Sequence, residues 1–178
     1  MDRNESTGLE SPWTTEAIRL EYYLSLDTLR TFASFTSVAM ECISNIAYRW
    51  HDTAAGPYVC LRPTTQPTED DWFKATERVV QENDGDSIFM IIDNTGYIPV
   101  MNKDSFDRLI KASMKYGIKS STAAVVVDDA HYETLAKLFE VATEGYGFAL
   151  KMGVFETVSS AEVWLQDQLD DSRRAQGD

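Results

Sequence analysis

Two short apolar runs lie in the second half of the chain, and each of them ends in an aspartate. Residues 88–92 (IFMII) precede Asp93, and residues 123–127 (AAVVV) precede Asp128. Continuous runs of this length, bounded by turn residues, are typical of strands that helices cover on both faces of a parallel sheet. The two runs therefore predict the central strands of a sheet, with Ile91 and Val126 on neighbouring strands in the core.

Amphipathic stretches surround these runs. Residues 68–83 carry apolar side chains at helical spacing and begin with Thr68 three residues before Asp71, the pattern of a capping box. Further helical stripes over residues 106–114 and 132–142 end at glycines. A strand over 148–155 and a last helix, with Ser159 predicted as its cap, complete the order. Strands that alternate with helices predict an α/β fold with βαβ crossovers.

The first third of the chain gives weaker patterns. Residues 18–26 alternate apolar and polar side chains, which predicts a half-buried strand. Residues 29–50 contain both a helical and a strand spacing of apolar side chains. We leave their first half open and favour a strand for the second half. Residues 51–57 predict a turn because Gly56 and Pro57 punctuate them, and 58–61 predict a short strand. We expect polar, flexible ends over residues 1–11 and 170–178.

Composition and charge narrow the class of protein. The 178 residues are 43% hydrophobic and 25% charged, the balance of a globular protein with one substantial core. A net charge of −13 opposes binding to nucleic acid and to acidic membranes. No apolar stretch is long enough to span a bilayer and no signal-peptide core follows Met1, so we expect a cytoplasmic protein. We expect Cys42 and Cys60 to be buried, unbridged thiols.

The residue types of catalytic sites do not assemble in this sequence. His51 lies in the predicted turn, and His131 is followed by no nucleophile in an activating context. The acidic run 69–71 lacks the spacing of a calcium loop and is explained by the helix dipole. Residues 145–147 (GYG) lack the third glycine of a dinucleotide fingerprint. We therefore expect no catalytic residue, metal or cofactor, and a protein that works by binding.

Three ordered segments resemble the STAS superfamily, in particular its SpoIIAA-like branch, which is related to anti-sigma-factor antagonists. They are TTQPTEDDW (64–72), IFMIID (88–93) and VFETVSSAEVWL (154–165). The resemblance implies a mixed, largely parallel β-sheet with helices packed on it. It also implies a STAS/SpoIIAA-like domain over residues 43–169. The segment before Ile43 lies outside the resemblance, and we expect residues 12–42 to be an N-terminal extension that packs on that domain.

In anti-sigma-factor antagonists, a serine in a D-S-x-G motif at a helix start is phosphorylated. The comparable positions here run from Asp104 through Ser105 to Asp107, which stands where the motif has glycine. The resemblance thus makes Ser105 the candidate regulatory phosphorylation site. The alternative is that Asp104 or Ser105 simply caps the helix.

The resemblance implies a non-enzymatic regulatory or scaffold module that binds another protein. The alternative function is a carrier of a small apolar ligand or lipid, of the SpoIIAA/Sec14-like type, which a large apolar cavity lined by residues 18–50 would favour. The apolar side chains of the N-terminal extension further predict a homodimer. The candidate binding surface consists of the polar residues Asp93, Asn94, Thr95, Tyr97, Asp104 and Asp128.

Overall fold

The structure is a computed structural model that describes residues 40–97, 102–128 and 132–176. Its described strands form one six-stranded sheet in the order β1-β2-β3-β4-β5-β6. The first three strands pair antiparallel, and β3 to β6 pair parallel. The predicted α/β class with a mixed, largely parallel sheet is therefore confirmed.

Ten elements follow one another along the described chain. Their bounds are β1 Glu41–Ile43, β2 Ile46–Thr53, β3 Gly56–Pro63, α1 Glu69–Glu82, β4 Ser87–Asp93, α2 Lys103–Lys115, β5 Ser120–Val126, α3 Tyr132–Glu144, β6 Ala149–Phe155 and α4 Val158–Gln176. The strand favoured for the second half of residues 29–50 is confirmed. The predicted strand over 18–26 and the predicted flexible end over 1–11 lie outside the described residues.

A two-residue turn joins β2 to β3, at Ala54 and Ala55. The prediction of a turn over the whole of 51–57 is therefore wrong, because His51 pairs with Tyr58 and the ladder continues to the turn. Pro57 lies in β3 ahead of residues 59–61, which pair with β4, so its missing N–H interrupts no bond to that strand.

The residues that cap the helices match the sequence prediction at one helix start and differ from it at two others. Thr68 and Asp71 form the predicted capping box of α1, in which each side chain bonds the other residue's backbone N–H. The cap of α2 is Asn102, so the prediction of Asp104 or Ser105 is wrong. Thr157, which accepts a bond from the N–H of Ser160, lies at the start of α4 where Ser159 was predicted.

Apolar side chains bury both faces of the sheet. Helices α1, α2 and α3 contribute to a cluster that includes Val59, Ile88 and Phe106. The opposite cluster is built from β4, β5 and α4 and contains Ile91 and Val126, both fully buried. The prediction that these two residues lie on neighbouring parallel strands in the core is confirmed.

Two further predictions need correction. The chain was predicted to be flexible from residue 170, but α4 continues to Gln176. Within this last part of the helix, the side chain of Arg173 donates to the carbonyl of Ala54 at 2.7 Å. Cys42 is exposed rather than buried, because it lies on the short edge strand β1, and Cys60 is partly buried. An edge strand has one neighbour instead of two, so its side chains are less covered.

Candidate functional site

The carboxyl end of β4 carries a buried carboxylate in a network of polar contacts. Asp93 is 4% exposed. Its Oδ1 accepts from the backbone N–H of Thr95 at 3.1 Å and from the Thr95 hydroxyl at 2.6 Å. Its Oδ2 lies 3.5 Å from Nε of Arg62 at the end of β3. A buried charge requires such partners, and these fix both the strand end and the loop that follows.

The loop after Asp93 is attached to the end of β5. The N–H of Asn94 donates to the carbonyl of Val126 at 2.9 Å, and the N–H of Gly96 donates to Oδ2 of Asp128 at 2.8 Å. Gly96 has a φ of 80°, a conformation that glycine adopts at no steric cost. The N–H of Tyr97 then closes a turn onto the carbonyl of Asn94 at 3.0 Å. We call residues 93–97 with Asp128 and Arg62 the carboxyl-edge cluster.

Asn94 differs from its neighbours in one respect. The residue is 5% exposed, yet its side-chain Oδ1 has no hydrogen-bond partner among the described residues. A buried acceptor without a donor costs roughly 1 to 3 kcal/mol. Such a group in an otherwise well-bonded loop requires an explanation, and a functional role or a bound water or ion is among the usual ones.

The structure brings together five of the six residues named for the binding surface. Asp93, Asn94, Thr95, Tyr97 and Asp128 belong to the carboxyl-edge cluster. Asp104 forms no hydrogen bond or ion pair with the described residues of this cluster and is exposed in the first turn of α2.

Ser105 lies inside the start of α2 rather than on its surface. It is 8% exposed, and its hydroxyl and its N–H both donate to Oδ1 of Asn102, at 3.1 and 3.0 Å. The Asn102 amide in turn donates to Glu69 of α1 at 2.7 Å. A phosphate on Ser105 would replace the hydroxyl proton and so remove the 3.1 Å bond from this hydroxyl to Asn102.

A polar strip beside the cluster was not recognised in the sequence. On the face of the sheet that carries α4, β2 presents Arg49 and His51, and β3 presents Tyr58, Cys60 and Arg62. The rings of His51 and Tyr58 stack at 4.8 Å. Strict period-2 alternation along both strands is the signal that could have located the strip.

Burial tunes the titratable groups of this strip toward their neutral forms. It raises the pKa of the Cys60 thiol to about 11, assisted by the nearby Asp93 carboxylate. It raises the pKa of Tyr58 to about 12 and also raises that of Glu162 on α4. The pKa of His51 is lowered by burial and by Arg49. A thiol and an imidazole in these states are a poor nucleophile and a poor cation.

Two cavities lie away from the carboxyl-edge cluster. An open groove of about 810 Å³ lies at the other end of the strands, where β4 begins. Trp50, Phe89 and several carboxylates, including Asp52 and Asp84, line it. An apolar cavity of about 110 Å³ lies beneath α1 and α2, where Trp72 and Phe106 belong to its lining. Residues 40–50, the described part of the range 18–50, do not line this apolar cavity.

The described ranges contain neither a cluster of metal ligands nor a helix that could span a membrane. Within residues 40–97, 102–128 and 132–176, no three His, Cys, Asp or Glu side chains lie together as metal ligands would. Over the same ranges, no helix has the length and apolar character that crossing a membrane requires.

No protein-family model matches the chain, and no curated protein matches it. Among solved structures, the chain is similar to an uncharacterized protein of the DUF3478 family from Shewanella loihica PV-4, whose crystal structure has a SpoIIAA-like fold. The sequence identity is 17%, the TM-score is 0.48, and the match covers 71% of this chain and 98% of that one. That protein has the SpoIIAA-like fold that the sequence resemblance names.

Proposed function

We propose that this chain is a non-enzymatic regulatory or scaffold module of the STAS type, which binds another protein through the carboxyl-edge cluster. The observation that carries the proposal is the unpartnered, buried Oδ1 of Asn94. In open α/β sheets, ligands bind outside the carboxyl ends of the strands where the strand order reverses. This acceptor lies at such a carboxyl end, in a sheet whose described strands follow chain order without a reversal. The Asn94 side chain has to turn outward before a donor from a partner, such as a backbone N–H, can satisfy this buried oxygen.

The surroundings of Asn94 favour a macromolecular partner. Thr95 and Gly96 beside it are exposed, whereas their polar groups are already held by Asp93 and Asp128. The loop is thus ordered before binding, which lowers the entropic cost of association. Neither cavity described above is lined by residues 93–97, so the cluster offers a surface rather than a pocket.

The protonation of the thiol in the polar strip supports a role without catalysis. Cys60, the thiol nearest the cluster, keeps its proton because burial raises its pKa to about 11. Nucleophilic catalysis by cysteine requires the thiolate, and therefore a lowered pKa. The strip is accordingly better suited to packing and to recognition than to covalent chemistry.

Asn94→Leu separates a binding role from a structural one. Leucine has a similar size and removes the unpartnered acceptor, so we expect the variant to be at least as stable as the wild type in urea denaturation. We also expect it to capture less of the specific partner from the native cell, measured by quantitative mass spectrometry. The trade of stability for binding is characteristic of a functional site.

Gln166→Leu is the matched control, since it makes a similar amide-to-leucine change on α4, away from the cluster. We expect its captured proteins to equal those of the wild type. If Asn94→Leu is destabilised and captures the same partner as the wild type, then Asn94 is structural and the proposal is wrong.

A carrier of a small apolar ligand is the second candidate, and the apolar cavity beneath α1 and α2 favours it. Its volume of about 110 Å³ is below the roughly 300 to 1,000 Å³ of typical ligand pockets. It would suit a ligand no larger than a single aromatic ring. Native mass spectrometry of the protein purified from its own cell distinguishes the two: a bound small molecule supports the carrier, and a bound protein supports the module.

A further inference from the structure

Strand β6 forms one edge of the described sheet, and alternate residues of it face away from the sheet. The N–H of Ala149 donates to Lys119, and the carbonyl of Phe155 accepts from Val127, so the odd-numbered residues bond toward β5. The backbone groups of Leu150, Met152 and Val154 therefore point outward. A row of outward N–H and C=O groups is a template for another strand.

A side chain already accepts a hydrogen bond from one of these outward backbone groups. The carboxylate of Glu140 on α3 accepts from the N–H of Met152 at 2.6 Å. Because Met152 lies in the middle of the seven-residue strand, this bond interrupts the row where an added strand would pair. A charged side chain across an edge is one of the means by which proteins prevent edge-to-edge association.

The edge is complementary to itself. In an antiparallel pair centred on Met152, the two Met152 residues would exchange backbone bonds, and Leu150 would lie opposite Val154 of the other copy. All three residues are apolar and partly buried, so their side chains would extend the apolar face of the sheet into the second copy. Lys151 would lie opposite Gly153, which avoids a directly opposed pair of like charges.

The helix beside this edge carries apolar side chains that nothing in the described chain covers. Leu138 is 61% exposed and Val141 is 65% exposed, and they lie three residues apart on α3, on either side of Glu140. Isolated exposed apolar residues are ordinary, but these two are neighbours three positions apart and together form an apolar patch on α3.

We propose that the β6 edge is a latent pairing surface for a second copy of this chain, and that Glu140 keeps it closed. Pairing through Met152 requires the Glu140 carboxylate to leave the N–H and to lose solvent beside an equally charged copy. Removal of that carboxylate frees the donor and removes both charges from the interface.

Sedimentation velocity of Glu140→Ala tests the proposal. We expect a species of twice the wild-type mass at concentrations where the wild type keeps its own mass. Asp167→Ala is the matched control: it removes one exposed carboxylate from α4 and should sediment as the wild type. At dilutions that keep Glu140→Ala unpaired, the amide of Met152 should exchange hydrogen faster than in the wild type.

Two second-site changes identify the surface. Val154→Pro removes an outward N–H without breaking a bond to β5, and Leu138→Asp places a charge on the exposed helix, where folding is unaffected. Each should return Glu140→Ala to the wild-type mass. The proposal is overturned if Glu140→Ala keeps the wild-type mass at its highest soluble concentration, or if neither second change reverses the association.

Discussion

Truncation of Ile91 to alanine measures how much the core packing between β4 and α4 contributes to the free energy of unfolding. The side chain is fully buried on β4 against Ala161 and Leu165 of α4. The change removes three carbons, and at ~0.8 kcal/mol for each buried group the transfer term is about 2.4 kcal/mol. The cavity left behind adds to this, because Ala124, the residue paired with Ile91 on β5, is too small to fill it. We expect a total loss of about 3 to 4 kcal/mol.

Urea denaturation followed by tryptophan fluorescence gives the free energy of unfolding of each variant. Ile91→Val should lose about 0.5 to 1.5 kcal/mol, because it removes one carbon. Val163→Ala, at a side chain of α4 that is 67% exposed, should change stability by less than about 0.5 kcal/mol. A loss below about 0.5 kcal/mol for Ile91→Ala would refute the placement of β4 against α4.

Three further predictions concern groups outside this core. Iodoacetamide at pH 8 should modify the exposed Cys42 well before Cys60, whose pKa of about 11 leaves few thiolates; equal rates, read by mass spectrometry, would contradict the burial of Cys60. Burial raises the pKa of Glu162 above its value in the unfolded chain, so the folded state binds this proton more tightly. The resulting stabilisation is present at low pH and is lost as the pH rises through the raised pKa. Glu162→Gln should therefore gain more stability over the wild type at pH 7 than at pH 4, and a difference independent of pH would refute this. Asn102→Ala should lose about 1 kcal/mol in urea denaturation as the cap of α2, whereas an equal loss in Asp104→Ala would restore the cap predicted from the sequence.

The elements that the sequence predicts well are those whose signals are local. The apolar run before Asp93 and the capping box at Thr68 depend on residues within a few positions of each other, and both are present in the structure. Helix starts with several eligible cap residues are different. Asn102 caps α2 in preference to Asp104, since the cap is set by where the backbone turns and by the bond from Asn102 to Glu69 of α1.

The candidate site was predicted in part for the same reason. Polar residues after the two buried strands could be named from the sequence, and Asp93 and Asp128 do belong to one cluster. The contribution of Arg62 depends on the pairing of β3 with β4, which no pattern within β3 specifies. The unpartnered Oδ1 of Asn94 is likewise a property of the folded neighbourhood, because the residue type alone does not determine which hydrogen bonds are made.

Hydrogen exchange of the chain with and without its captured partner tests the central claim most directly. The account predicts that the partner slows exchange of the amides in residues 93–97 and 126–128, and that Asn94→Leu abolishes this protection at the same partner concentration. Amides at the other end of the strands, in residues 52–57 and 83–86, should exchange at the same rate with and without the partner. Protection confined to that end of the strands, with residues 93–97 unchanged, would contradict binding through the carboxyl-edge cluster.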